Sequence, residues 1–127
     1  MKIEELVQQD ITDEVAVFSA LADPTRLRLV KLLGRQSGPD ALCVNALAAL
    51  LEMTQSAVSQ HLRILKAIGL VKGERRGYHI HYFINWDVMG RYRELILAAL
   101  PADAPVGEVE PCTEECPMQS EEDVLRG

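Results

Sequence analysis

Apolar residues recur along this chain at helical spacing, and one stretch has strand character instead. From Ile11 the period runs through Val15, Phe18 and Leu21, with Asp10, Thr12 and Asp13 available as caps, which predicts a first helix. Ala22-Asp23-Pro24-Thr25 reads as a stop and a restart, with Asp23 as N-cap and Pro24 as the first helical residue. Leu27, Val30 and Leu33 mark a second amphipathic helix ending at Gly34, followed by a loop over residues 36–40. A short apolar helix is expected from about Cys43 to Leu51. Thr54 then caps a long helix running from Gln55 to about Ile68 and stopped by Gly69. Residues 70–75 and 79–85 are β-rich, and Arg75-Arg76-Gly77-Tyr78 joins them as a hairpin. A last helix spans roughly Trp86 to Leu100, with Val88, Tyr92, Leu95, Ile96 and Ala99 on one side.

The order is helix, helix, helix, turn, helix, two-stranded hairpin, helix. Three helices closed by a hairpin predict a mainly α, α+β fold, the winged helix-turn-helix. Residues 1–100 are expected to form that domain. Residues 101–127, broken by Pro101, Pro105, Pro111 and Pro117 with acids between them, read as an irregular acidic tail.

The 127 residues are 48% apolar and 25% charged, which suits a soluble globular domain and excludes wholesale disorder. No stretch approaches the roughly 18 apolar residues of a spanning helix, so no membrane partner is expected. The first ten residues lack the basic start and apolar core of a secretory signal. The expected compartment is therefore the cytoplasm, where Cys43, Cys112 and Cys116 stay reduced.

A net charge of −6, taken whole, argues against nucleic acid, which demands a basic surface. Its distribution changes the picture. The balance is −4 over residues 1–20, +1 over 21–53, +4 over 54–100 and −7 over 101–127. A basic centre lies between acidic ends.

On a helical wheel the segment from Gln55 to Ile68 separates into two faces. Val58, Leu62, Ile64, Leu65 and Ile68 cover one, with Ala57 at its edge. Ser56, Ser59, Gln60 and Arg63 fall at i, i+3, i+4 and i+7 on the other, which carries no acid. Short hydroxyls and amides ending in an Arg suit base edges and phosphates in a major groove. Gln55, Ser56, Ser59, Gln60 and Arg63 are the candidate DNA-reading residues, the alternative being an ordinary solvated face. Lys72, Arg75 and Arg76 around the hairpin turn suit flanking phosphates or a minor groove; the alternative is a tip merely kept soluble. His61 falls among the apolar residues, where a packed imidazole with an internal hydrogen-bond partner is expected rather than a base contact.

Ala20-Leu-Ala-Asp-Pro-Thr-Arg-Leu-Arg-Leu-Val-Lys-Leu-Leu33, Gln55-Ser-Ala-Val-Ser-Gln-His-Leu-Arg-Ile-Leu-Lys-Ala-Ile-Gly-Leu-Val71 and Gly73-Glu-Arg-Arg-Gly-Tyr78 resemble the ArsR/SmtB family of metal-responsive repressors, over about residues 15–97. The resemblance implies a homodimer joined through the first and last helices and bound to an inverted-repeat operator. It also implies release from DNA by a metal or metalloid inducer. The family's best-known sensing motif reads Glu-Leu-Cys-Val-Cys-Asp-Leu, whereas this chain has Ala41-Leu-Cys-Val-Asn-Ala-Leu47, with Asn45 and Ala46 in place of the second cysteine and the acid. The family's alternative zinc site needs Asp and His on the last helix, which here contains Asp87 but no His.

Candidate ligands remain in Cys43 and in the tail sequence Pro111-Cys-Thr-Glu-Glu-Cys-Pro117. Cys112 and Cys116 are four residues apart, a spacing that faces both thiols one way in a helical turn. With Cys43 they make a three-thiolate set for As(III), the favoured inducer, or for Sb(III) or Pb(II). Cd(II) or Zn(II) would want a fourth ligand. Cys43 reads equally as a buried small hydrophobe, and the tail pair as a redox switch.

The expected function is a DNA-binding transcriptional repressor released by a thiophilic ion. The alternatives are a thiol-redox-responsive repressor of the same fold and a metal-binding interaction module that does not bind DNA. No nucleophile–base pairing or Gly-rich phosphate loop is present, so no enzyme is expected.

Overall fold

Side-chain caps set where three of the helices begin. The computed structural model describes residues 3–36, 41–100, 102, 103, 112 and 114. In chain order it runs α1 (Ile3–Leu21), α2 (Pro24–Gly34), β1 (Leu42–Cys43), α3 (Val44–Leu51), α4 (Gln55–Ala67), β2 (Val71–Arg76), β3 (His79–Ile84) and α5 (Trp86–Ala99). Asp23 is extended, its carboxylate accepts from the Arg26 N–H at 3.0 Å, and Pro24 follows where no N–H is needed. Thr54 accepts from the Ala57 N–H at 3.1 Å at the head of α4, and Asn85 from the Val88 N–H at 3.5 Å at the head of α5.

Two elements differ from expectation. The first helix begins at Ile3 rather than near Ile11. Neither Gly nor Pro interrupts residues 3–21 of the sequence, and the apolar period extends back through Val7 and Ile3. The second is β1, two residues at the point where the third helix was expected to start, leaving α3 to begin at Val44. β1 pairs antiparallel with β3 and gives a three-stranded sheet of order β1-β3-β2. The expected loop lies, apart from Gln36, outside the described residues, as does most of the tail beyond Leu100.

The hairpin forms as expected, with Arg76 opposite His79 and Gly77 at φ +65° in the two-residue turn. Gly73 faces Tyr82 across the ladder, and a Cβ there would lie 2.9 Å from Ile80 Cγ2. The wing therefore needs glycine at that rung.

The core lies where α2, α3, α4 and the sheet meet. Leu29, Leu33, Leu47, Val58, Leu62, Leu65, Leu70 and Ile84 are fully buried, and Val17, Ala20 and Tyr92 bring in α1 and α5. The Tyr92 hydroxyl donates to the Ile68 carbonyl at 2.6 Å and ties α5 to the end of α4. α1 packs on α5, where Arg91 is ion-paired to Asp13. These two helices leave Ile11, Val15, Phe18, Leu97 and Leu100 exposed. No described helix is long and apolar enough to cross a membrane.

The two sides of α4 differ in weight. Leu62→Ala is expected to lower unfolding stability by roughly 2–5 kcal/mol, as for a large-to-small core change. Ile64→Ala, at a residue 42% exposed, should shift it on the order of 0.5 kcal/mol. Urea unfolding of the two variants checks this.

Candidate nucleic-acid interface and ion site

Burial of Val58, Leu62 and Leu65 decides which side of α4 meets solvent. Gln55, Ser56, Gln60 and Arg63 are exposed and Ser59 is half-buried, all on the side opposite the core. Ile64, expected on the apolar face, lies instead at its exposed rim. α4 contains no acid from end to end.

One basic residue was missed. Lys66 continues the row of Ser59 and Arg63 at i+7 and i+3, and with Leu62 and Tyr82 these residues line a groove of about 230 Å³ beside the wing. Its ammonium lies 6.0 Å from the Tyr82 ring centroid. The spacing was available in the sequence; the groove exists only through the folded hairpin.

On the wing, Lys72 is exposed with its ammonium 5.3 Å from the Phe83 ring centroid. Arg75 is exposed, and its Nε donates to the Gly77 carbonyl at 3.5 Å. Arg76 is half-buried with its guanidinium 3.7 Å from the Glu74 carboxylate, which answers part of its charge. Arg28, Lys31 and Arg35 form a separate basic row on α2, beside Leu32, Leu50 and Leu51.

His61 is a packed histidine held by α2. Its Nδ1 lies 3.4 Å from Arg26 Nη1 and 3.8 Å from Asp23 Oδ1. A neutral ring accepts from Arg26, and a protonated one pairs with Asp23. Arg26 also donates through Nε to the Ala20 carbonyl at 2.6 Å and through Nη2 to that of Ser19 at 3.4 Å, satisfying carbonyls at the end of α1. This one guanidinium joins α1, α2 and α4. The Arg26 backbone N–H, then the Arg26 and His61 charges, hold the Asp23 carboxyl below its ordinary value of 3.8, against a desolvation that raises it.

The candidate ion ligands are not gathered in the described residues. Cys43 is half-buried, lies outside the core cluster and makes no capping bond at the head of α3. Cys112 is exposed, and Cys116 falls outside the described residues. Among the described residues no three Cys, His, Asp or Glu side chains converge to hold a metal ion.

Residues 23–72 match the family described as bacterial regulatory protein, arsR family. Over 93 residues the chain is 45% identical to a transcriptional repressor SmtB homolog of Synechocystis, covering 72% of this chain and 67% of that protein. Over 80 residues it is 34% identical to the arsenic resistance transcriptional regulator ArsR1 of Pseudomonas putida, covering 63% of this chain and 60% of that protein. The solution structure of a homodimeric winged helix-turn-helix DNA-binding domain from Mycobacterium bovis, a possible ArsR-family regulator, superposes with a TM-score of 0.58 at 25% identity, over 78% of this chain and 86% of that one.

Lys66→Ala and Lys72→Ala should each lower the slope of log affinity against log salt by about 0.9 for each phosphate that the side chain neutralises. Arg76→Ala should lower it less, because Glu74 already neutralises part of that charge. Anisotropy titrations on promoter DNA measure these slopes. The depressed Asp23 carboxyl contributes stability that is present above 3.8 and lost as pH falls through its folded value. Asp23→Asn keeps a capping oxygen and should flatten that acid limb, as read by thermal unfolding from the acid range up to neutral pH.

Proposed function

Because this chain belongs to the ArsR/SmtB family of winged helix-turn-helix transcriptional regulators, we propose that it is a homodimeric repressor freed from an inverted-repeat operator when cysteine thiolates bind a thiophilic ion. It is a DNA-binding regulator and not an enzyme. The carrying observation is the outward face of α4, where exposed Ser56, Gln60 and Arg63 and half-buried Ser59 stand free of acids beside the basic wing. In this reading α4 enters the major groove with Gln55 at its head, and Lys72, Arg75 and Arg76 hold flanking phosphates.

The exposed apolar residues of α1 and α5 support the dimer, as does the homodimeric state of the Mycobacterium bovis domain. Two equal subunits related by a twofold axis call for an operator of matching symmetry. Residues 1–100 carry binding and dimerisation, and residues 101–127 are the sensing tail.

The inducer is a metal or metalloid ion held by Cys43, Cys112 and Cys116, As(III) first, with Sb(III), Pb(II), Cd(II) and Zn(II) as rivals. The name of the Pseudomonas putida relative supports arsenic, and so does the soft donor set. Coupling is short. Cys43 heads α3, and α3 packs on α4 across a connection whose Glu52 is left-handed at φ 54°. An ion pulling on Cys43 therefore acts on the helix that carries the reading face. The −7 tail drawn against the domain adds repulsion toward phosphate.

Adding As(III) to the wild-type protein on promoter DNA should weaken binding by roughly 5- to 150-fold, the usual span of allosteric coupling. The Cys43→Ser, Cys112→Ser, Cys116→Ser triple variant should bind DNA normally and ignore As(III). Release of the triple variant by As(III) would refute the ligand assignment. Release by peroxide, reversed by reductant and with no response to any ion, would make the switch oxidative.

A further inference from the structure

The turn at the tip of the wing departs from ordinary turn chemistry. Strands β2 and β3 meet through Gly77 and Tyr78, between the paired Arg76 and His79. Gly77 supplies the left-handed backbone at φ +65°. The second position suits a short polar side chain such as Asn, Asp or Ser, and here it holds a tyrosine. The Tyr78 side chain is 96% exposed, more than any other large hydrophobic among the described residues. A turn that does not need an aromatic ring, and buries none of it, leaves that ring for an outside partner.

The surroundings point to a polyanion as that partner. Lys72 and Arg75 stand exposed on the same hairpin. Both arginines beside the turn are drawn back from its end: Arg75 Nε donates to the Gly77 carbonyl at 3.5 Å, and the Arg76 guanidinium lies 3.7 Å from the Glu74 carboxylate. The uncharged ring is left as the leading group of the wing. Distance then separates one groove of a duplex from the other. Tyr82, nearer the base of β3, borders the groove that holds Ser59, Arg63 and Lys66 of α4. From Tyr82 to Tyr78 the strand, at about 3.4 Å per residue, advances roughly 14 Å. A major groove and the next minor groove lie half a helical turn apart, about 17 Å. With α4 in the major groove, the length of a tyrosine side chain makes up the difference.

We infer, on the reading of α4 given above, that Tyr78 is a specificity-determining residue whose ring enters the minor groove flanking each half-site and favours A·T pairs there. An A·T minor groove is narrow and closes on both faces of a flat ring. Its floor presents the acceptors adenine N3 and thymine O2, to which the phenol donates, whereas a G·C pair puts the guanine amino group in the way. The side chain has two rotatable bonds on a tight turn, so little conformational entropy is lost on contact. The ring carries no charge and releases no counterion, so its share of the affinity is insensitive to salt. Lys72, Arg75 and Arg76 set how strongly the wing holds any duplex, and Tyr78 sets which duplex it prefers.

The test uses the full chain as wild type, Tyr78→Ala, Tyr78→Phe and Arg63→Ala. Anisotropy titrations are run on a duplex of the chain's own promoter, with the edges of the protected site made A·T, G·C or inosine·C. An inosine·C pair shows the A·T pattern in the minor groove and the G·C pattern in the major groove. Wild type should bind A·T and inosine·C flanks equally, and roughly tenfold more tightly than G·C flanks. Tyr78→Ala should fall to the G·C level on all three duplexes, with the salt slope and the thermal unfolding midpoint of wild type. Tyr78→Phe keeps the ring without the phenol and should retain part of the preference. Arg63→Ala should weaken binding to all three. Unchanged affinity in Tyr78→Ala, or an equal loss on all three duplexes, overturns the proposal. Inosine·C flanks that behave as G·C overturn it too, because they place the readout in the major groove. Loss in Arg63→Ala with Tyr78→Ala unchanged removes Tyr78 alone. Affinities unmoved by either change overturn the reading of α4, and this proposal with it.

Discussion

The burial of Val58, Leu62 and Leu65 under α2, α3 and the sheet is the constraint from which the rest of the molecule's surface follows. A helix has one axis and fixed angular spacing, so seating these three side chains decides where Ser56, Gln60, Arg63 and Lys66 point. The same seam sets the helix beside the wing, because Leu65, Leu70 and Ile84 belong to one cluster. Tyr92 then locks α5 against the end of α4 through the Ile68 carbonyl. The packed face and the exposed polar row are two sides of one helix.

A second, polar constraint sits at the other edge of α4. Arg26 reaches the last carbonyls of α1, begins its own helix under the Asp23 cap and meets His61 of α4. Apolar packing leaves a helix some freedom to slide along its ridge, and directional bonds at a fixed point remove it. α3, with Cys43 at its N-cap, is joined to α4 by the short left-handed turn at Glu52. Charge is distributed to match: basic groups on α4 and the wing, acids in the tail.

Features set by neighbouring residues were legible in the sequence. Asp23-Pro24 and Thr54 cap helices through bonds to residues three positions on, and Gly77 turns a two-residue hairpin; such signals need no tertiary context. The winged helix-turn-helix and the solvent-facing polar side of α4 followed from them, and His61 was correctly placed as a packed residue. Features made by long-range pairing were not legible. β1 has two residues and no period of its own, and it exists because β3 offers it a partner. His81 meets Cys43 only through that pairing. The apolar face of α4 was drawn too wide at Ile64, because a wheel does not show where the neighbours end. The start of α1 was missed although its period was present. The whole-chain charge misled until it was divided along the sequence.

On the proposed function α4 and the wing, rather than another basic surface, meet operator DNA. A map of backbone amide shifts during titration with promoter duplex tests it most directly. The largest changes are expected from Gln55 to Arg63 and around Lys72, Arg75 and Gly77, with the row of Arg28, Lys31 and Arg35 little affected. Changes centred on that α2 row, with α4 unmoved, would contradict it.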